Sequence, residues 1–211
     1  PPMGIYETLY AFQDVFGTPM GEPTTHPWSQ GFPITTQLPG GPPMPEHVQL
    51  DSTDLKYPKA WGQPELRDAI AGYYTHYYGA KIDAENVMVF AGGCPGLIAL
   101  LLFLQQDIHV RIASTEYTPY WDMLRLLKRD HSLVESSEHN RFSPSVHDYL
   151  RNEENERNLI MLSNPCNPTG VARHGDTLKA LVEKASFGSS GLLVDEAYEI
   201  FHNPPTSALA H

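Results

Sequence analysis

A chain of 211 residues is long enough for one sizeable domain, or for one with a small appendage. Its composition, 41% hydrophobic and 18% charged, is that of a globular chain and excludes wholesale disorder. With 25 acidic residues against 14 Lys and Arg, the net charge of −11 excludes the basic stripes of a nucleic-acid or anionic-membrane surface. No apolar run approaches the roughly 18 residues of a membrane span. Two cysteines, Cys94 and Cys166, make no disulfide framework. These bounds imply a soluble, cytoplasmic protein that binds neither nucleic acid nor membrane.

Residues 1–50 hold a dense crop of Pro and Gly, including Pro39-Gly40-Gly41-Pro42-Pro43. Proline fixes φ and withholds a backbone donor, so after a short helix over residues 6–16 this stretch predicts an extended arm with turns. Trp28, Phe32, Ile34 and Leu38 give the arm apolar side chains to pack on a neighbour. From Pro64 the texture changes: Pro64-Glu65 suits a first helical turn, and Leu66, Ile70, Tyr73, Tyr74 and Tyr77 recur at helical spacing until Gly79. Residues 87–90 read as a short apolar strand that runs into Gly92-Gly93-Cys94-Pro95. The helix that follows is apolar nearly all round, which predicts burial. Residues 110–113 read as a second strand, followed by a turn at 116–119 and a helix over 121–128. The polar segment 152–157 reads as a solvated loop. Residues 159–162 form a third strand that ends in Ser163-Asn164-Pro165. Asp176 caps a helix through Lys184, and residues 192–194 form a fourth strand ending on Asp195. Short apolar strands alternating with helices predict an α/β fold, with these four strands in one mainly parallel sheet sandwiched by helices.

In such a sheet, ligands sit beyond the carboxyl ends of the strands. The polar and glycine-bearing signals fall there: Gly92-Gly93-Cys94, Glu116-Tyr117, the run from Asn164 to Gly170, and the run from Asp195 to Tyr198. Gly92-Gly93-Cys94-Pro95 joins strand to helix, so unpaired N–H groups point outward with the positive end of the helix dipole behind them. That makes an anion cradle, with phosphate its usual guest; a plain tight turn fits the same residues. Ser163-Asn-Pro-Cys-Asn-Pro-Thr-Gly170 is the strongest signal, because two Asn-Pro steps force an extended loop and hold the Asn167 amide at a strand end. Asp195 follows an apolar strand and is expected to be largely buried, facing a cation or a protonated ring nitrogen; an acidic helix cap is the plainer alternative. Tyr198 can direct its hydroxyl into the same space. His131, His139 and His147 suit no zinc pattern, and the cysteines lack Cys-x-x-Cys spacing, so no metal site is expected.

The runs Ser163 to Gly170 and Asp195 to Phe201 together resemble the paired hallmarks of the class I/II aminotransferases, the fold-type I pyridoxal-phosphate enzymes. Tyr57-Pro-Lys-Ala-Trp-Gly-Gln-Pro-Glu-Leu-Arg67 resembles the family's Tyr, spacer, Gly and Leu-Arg stretch. Ala91-Gly-Gly-Cys-Pro95 sits where the family keeps its phosphate turn. Thr115-Glu-Tyr-Thr-Pro-Tyr120 is similar to Pro-x-Tyr-Pro-x-Tyr, with Thr115 and Thr118 in place of the prolines.

The resemblance implies pyridoxal 5'-phosphate as cofactor, with Gly92, Gly93 and Cys94 on its phosphate. It implies a catalytic Asp195 paired with the pyridine nitrogen, and Asn167 and a catalytic Tyr198 on the ring's phenolic oxygen. Tyr117 would stack on the ring. Tyr57 would reach the phosphate of the neighbouring subunit in a homodimer with a shared active site. Gly40 and Gly41, with Asn167, would lie near the substrate. The implied reaction moves an amino group between an amino acid and a 2-oxo acid. A lyase, cyclase or oxidase on the same scaffold and a cofactor-free regulatory relative are the alternatives. Residues 1–50 would be an arm and small-domain segment, and residues 51–211 an incomplete cofactor-binding large domain. The family's Schiff-base lysine lies beyond the aspartate, and no lysine follows Lys184 here. The resemblance therefore implies about half of a subunit.

Overall fold

The computed structural model describes residues 5–22, 24–26, 43–150, 157–187 and 190–211. The chain divides into two compact units, residues 1–55 and 56–211. In the first, helix α1 (Ile5–Phe16) stacks the rings of Phe12 and Phe16 one turn apart, 4.7 Å between centroids. It stops at Gly17, whose φ of 68° a side chain disfavours. Trp28, Phe32, Ile34, Leu38, Gly40, Gly41 and residues 152–156 lie outside the described residues.

The second unit is built on a sheet of four parallel strands, β1 (His109–Ala113), β2 (His131–Val134), β3 (Asn158–Ser163) and β4 (Ser190–Asp195), in the order β2-β1-β3-β4. All six residues of β3 are buried, which is why its sequence shows no polar alternation. Alternate side chains go to opposite faces. On one face Val110, Ile112, Leu159, Met161 and Leu193 meet Leu97 and Leu101 of α3 (Gly93–Phe103) and Tyr120 and Leu124 of α4 (Pro119–Leu126). On the other, Ala113, Ile160, Leu162 and Val194 meet Tyr149 of α5 (Val146–Leu150) and Leu181 of α6 (Gly175–Phe187). The sheet is thus covered by helices on both faces, as the alternation of strands and helices predicts. Helix α2 (Pro64–Tyr78) opens on its proline and closes on Gly79 at φ 67°, whose N–H donates to Thr75 O at 3.1 Å.

Three expectations are corrected. Segment 87–90 joins no strand of the sheet. Its Val89 N–H donates to Trp61 O at 3.0 Å, and Arg67 holds its start, Nε donating to Val87 O at 2.9 Å. Val87 and Met88 line a cavity of about 740 Å³ whose lining also includes Gly191, Leu192 and Val194 of β4, so no ladder to that edge of the sheet forms. The fourth strand is instead β2, an edge strand whose half-exposed His131 and Ser132 hide the apolar pattern. Finally, α3 is not buried all round. Leu101 is fully covered, yet Leu100, Leu102 and Phe103 are exposed, because the sheet covers only one side of the helix.

Order β2-β1-β3-β4 sends the first crossover one way and the second back past β1, so α4 and α5 fall on opposite faces. The strands part between the carboxyl ends of β1 and β3, which is where a parallel sheet opens a crevice. At the far end of α3, the buried Arg129 donates to Gln105 O at 2.6 Å and also to the carbonyls of Leu101 and Leu104, filling acceptors that the helix end leaves unpaired.

Candidate functional site

The two chain exits at the crevice are tied together. Glu116, just past β1 and 4% exposed, accepts through one carboxylate oxygen from Ser163 N–H at 2.9 Å and from Ser163 Oγ–H at 2.6 Å. Cys166 Sγ donates to Thr115 O at 3.3 Å. Burial pushes the Glu116 carboxyl up from 4.5 to about 7, against the opposing effects of the Ser163 bonds and the Arg173 charge.

Beyond β3 the loop folds on its own amides. The buried Asn164 clamps Arg173, donating from Nδ2 to its carbonyl at 3.0 Å and accepting from its N–H at 2.7 Å. Both Asn164–Pro165 and Asn167–Pro168 are cis. Asn167 is half-buried, and its backbone N–H donates to Ser163 Oγ at 3.1 Å. Ser163 in turn sits beside Asp195 in the β3–β4 ladder, and Asn164 N–H donates to Asp195 O at 2.8 Å. Neighbouring strand ends therefore carry Asn167 and Asp195.

Asp195 is half-buried rather than largely buried, and its carboxylate rests on protein donors. Tyr120 O–H donates to Oδ2 at 2.8 Å, and Ala197 N–H donates to Oδ1 at 3.0 Å. Each oxygen keeps acceptor capacity beyond those bonds. Burial first, and then the Asp195 charge, pushes the Tyr120 phenol far up, so it stays a donor. The Tyr117 ring stands edge-on to that of Tyr120, 5.4 Å between centroids. Its hydroxyl is pushed up by burial, then by the adjoining Cys94 thiol, and then by the charges of Asp195 and Tyr198. Cys94, Tyr117, Asp195 and Tyr198 thus share one neighbourhood. Tyr198 is 43% exposed, with its ring edge-on to Phe201 at 5.8 Å.

Gly92 adopts φ 104° and ψ 161°, a conformation essentially reserved for glycine, and so turns the chain into α3. The Gly93 and Cys94 amides of that first turn have no intrahelical partner and stand at the positive end of the dipole. A Cβ on Gly93 would meet nothing within 4 Å, so the space beside this turn is open. Amides suited to a dianion, an aromatic wall and an anchored carboxylate with spare lone pairs form a donor set that fits a phosphorylated heteroaromatic ring. Of the other sequence candidates, Tyr57 is fully exposed, and Gly40 and Gly41 lie outside the described residues. Among the described residues no His, Cys, Asp and Glu cluster is arranged to hold a metal ion, and no helix is long and apolar enough to cross a membrane.

The sequence profile of the family "Aminotransferase class I and II" matches residues 43–210. The chain belongs to that family. It is similar to an aspartate aminotransferase of Pyrococcus horikoshii, 29% identical over 153 residues that make up 72% of this chain and 39% of the relative. It is also similar to a valine–pyruvate aminotransferase of Mycobacterium tuberculosis, at 28% over 76% of this chain and 42% of the relative. The crystal structure of a Thermus thermophilus aspartate aminotransferase mutant complexed with tryptophan superposes with a TM-score of 0.67 at 27% identity, covering 74% of this chain and 41% of that one. The chain spans about two fifths of the length of these relatives.

Within this aminotransferase-family chain, three side chains at the crevice escaped the sequence reading. Glu116 was visible only as part of Glu116-Tyr117, Ser163 only as the start of the Asn-Pro loop, and Tyr120 only as the end of a motif. For Glu116 the available signal was an acid shortly after a strand whose Val110, Ile112 and Ala113 are apolar. Such a group must either escape to solvent or find donors.

Proposed function

We propose that the protein forms the cofactor-binding part of a pyridoxal-phosphate-dependent aminotransferase that moves an amino group between an amino acid and a 2-oxo acid. The observation that carries this reading is the gathering of Tyr117, Asn167, Asp195 and Tyr198 past the carboxyl ends of parallel strands, beside the crevice, with Cys94 of the Gly92–Cys94 turn next to Tyr117. When bound, pyridoxal phosphate supplies an electron-accepting ring that takes up the electron pair released at the substrate's α-carbon.

The chain's own residues divide the remaining work. The Gly93 and Cys94 amides bind the phosphate, and Gly92 gives the turn the shape that presents them. Asp195 holds a proton at the ring nitrogen, a charge-assisted bond that keeps the ring an electron acceptor. Tyr120 and the Ala197 amide orient that carboxylate. Asn167 and Tyr198 donate to the ring's phenolic oxygen, and Tyr117 covers one ring face and excludes water from it.

By the same reading, residues 1–50 serve as arm and small-domain segment. Gly40 and Gly41 lie near the substrate, and Tyr57 serves the phosphate of a second subunit in a two-fold homodimer. Full exposure of Tyr57 favours that use over a role in its own site.

The test is to incubate the complete protein, loaded with pyridoxal phosphate, with a mixture of amino acids and 2-oxoglutarate. Glutamate and a new 2-oxo acid should appear in equal amounts. Product released without an acceptor would overturn transamination in favour of an elimination or cyclisation on the same cofactor.

A further inference from the structure

Glu116 has none of the roles assigned above, yet it lies beneath the residues that do. Its backbone runs directly into Tyr117, and its carboxylate reaches across the parting of β1 and β3 to Ser163. Ser163 Oγ carries a single hydrogen. Because Oγ accepts from Asn167 N–H, that hydrogen goes to Glu116, and the relay runs one way: Asn167 N–H to Ser163 Oγ–H to Glu116 Oε2. One buried carboxyl is therefore joined to both loops that frame the site.

We infer that Glu116 is a positioning residue, whose carboxyl fixes through Ser163 Oγ where Asn167 stands relative to Tyr117. The meaning of this for catalysis rests on the reading of the site proposed above. An uncharged bridge would be the cheaper way to tie two loops, since a buried anion carries a large desolvation cost. The titratable groups that interact with Glu116 are Arg173 from the loop after β3, Tyr120 from α4 and Tyr149 from α5, and Cys166 of the same loop adjoins both tyrosines. Of these only Arg173 favours the anion, and burial outweighs it, so the carboxyl exchanges its proton near neutrality. A proton on this carboxyl replaces the anion's charge-assisted acceptance from both Ser163 donors with the weaker acceptance of a neutral acid. The relay then loosens at Asn167.

The test is nuclear magnetic resonance on the isotope-labelled protein between pH 5.5 and 8.5. The Asn167 and Ser163 amides should titrate together with a midpoint near 7, and both should be flat in Glu116→Gln. In Ser163→Ala the Asn167 amide should lose its response while the Glu116 carboxyl still titrates. A purely structural tie would be carried equally well by Gln and would show no titration at Asn167. An Asn167 amide that does not move with pH, or whose midpoint survives in Glu116→Gln, overturns the inference. Pyridoxal phosphate added to the same samples tests the other reading separately through the Gly93 and Cys94 amides. If those fail to shift, the cofactor assignment falls, and the Asn167 titration still decides the role of Glu116.

Discussion

Replacing Glu116 by Gln should flatten the dependence of stability on pH between about 4.5 and 7. The folded protein holds the Glu116 proton more tightly than the unfolded chain does, because burial lifts the carboxyl from 4.5 to about 7. Stability from this group is therefore fully present below pH 4.5, falls as the pH rises, and is lost above about 7. At about 1.4 kcal/mol per pH unit, that span is worth on the order of 3 kcal/mol, or roughly 6–12 °C in Tm for a unit of this size. Gln keeps the shape and an acceptor oxygen for Ser163 but cannot ionise. Urea unfolding of both proteins at five values from pH 4.5 to 8.5 provides the measurement, and the other titrating groups cancel in the difference between the two curves. The Glu116 protein should lose its advantage progressively as the pH rises. If the two profiles run parallel to within about 0.5 kcal/mol, Glu116 does not titrate in the fold and the reasoning fails.

In the complete protein, Asp195→Asn should keep the phosphate grip but lower kcat on the order of a thousandfold or more, because a neutral amide cannot hold the ring proton. Tyr198→Phe should cost less, since it removes one neutral hydrogen bond. Near-normal turnover by Asp195→Asn in a coupled glutamate assay would remove Asp195 from its role. Gly92→Ala should cost about 1–3 kcal/mol in denaturant, because its φ of 104° suits only glycine, and should weaken the response of the Gly93 amide to added phosphate. Arg129→Met should cost about 3 kcal/mol or more by the same measurement, since the carbonyls of Leu101, Leu104 and Gln105 lose a buried charged donor together. A loss under about 1 kcal/mol would mean that water replaces it.

The parallel sheet was legible because β3 and β4 are short apolar runs bounded by polar loops, and α2 because Pro64 and Gly79 mark its ends. Composition concealed β2: His131 and Ser132 are tolerated at an edge, where a strand needs only one covered face. Segment 87–90 misled for the opposite reason: its apolar run fits a covered strand, yet Met88 and Phe90 are exposed and no described strand lies against it. At the site, the loops bearing Asn167, Asp195 and the Gly92 turn were legible from local chemistry. Contacts between Glu116 and Ser163, 47 residues apart, and between Tyr120 and Asp195, 75 apart, were not, because nothing local signals a bond that only the strand order creates.

The continuation of the β3–β4 ladder one step past the strands, through the Asn164 amide, divides the crevice into a stiff side and a compliant side. Separating Asn164 from Asp195 would unzip backbone bonds in series, each worth about 1 kcal/mol and backed by a fully buried strand. The opposite lip, carrying Tyr117, is moored to the Asn-Pro loop by the Glu116–Ser163 bonds and the weak Cys166–Thr115 contact. Adjustment between these two lips therefore falls mainly to the Tyr117 side, within the limit that the Tyr120–Asp195 bond sets, and Asp195 serves as the reference against which a guest would be aligned.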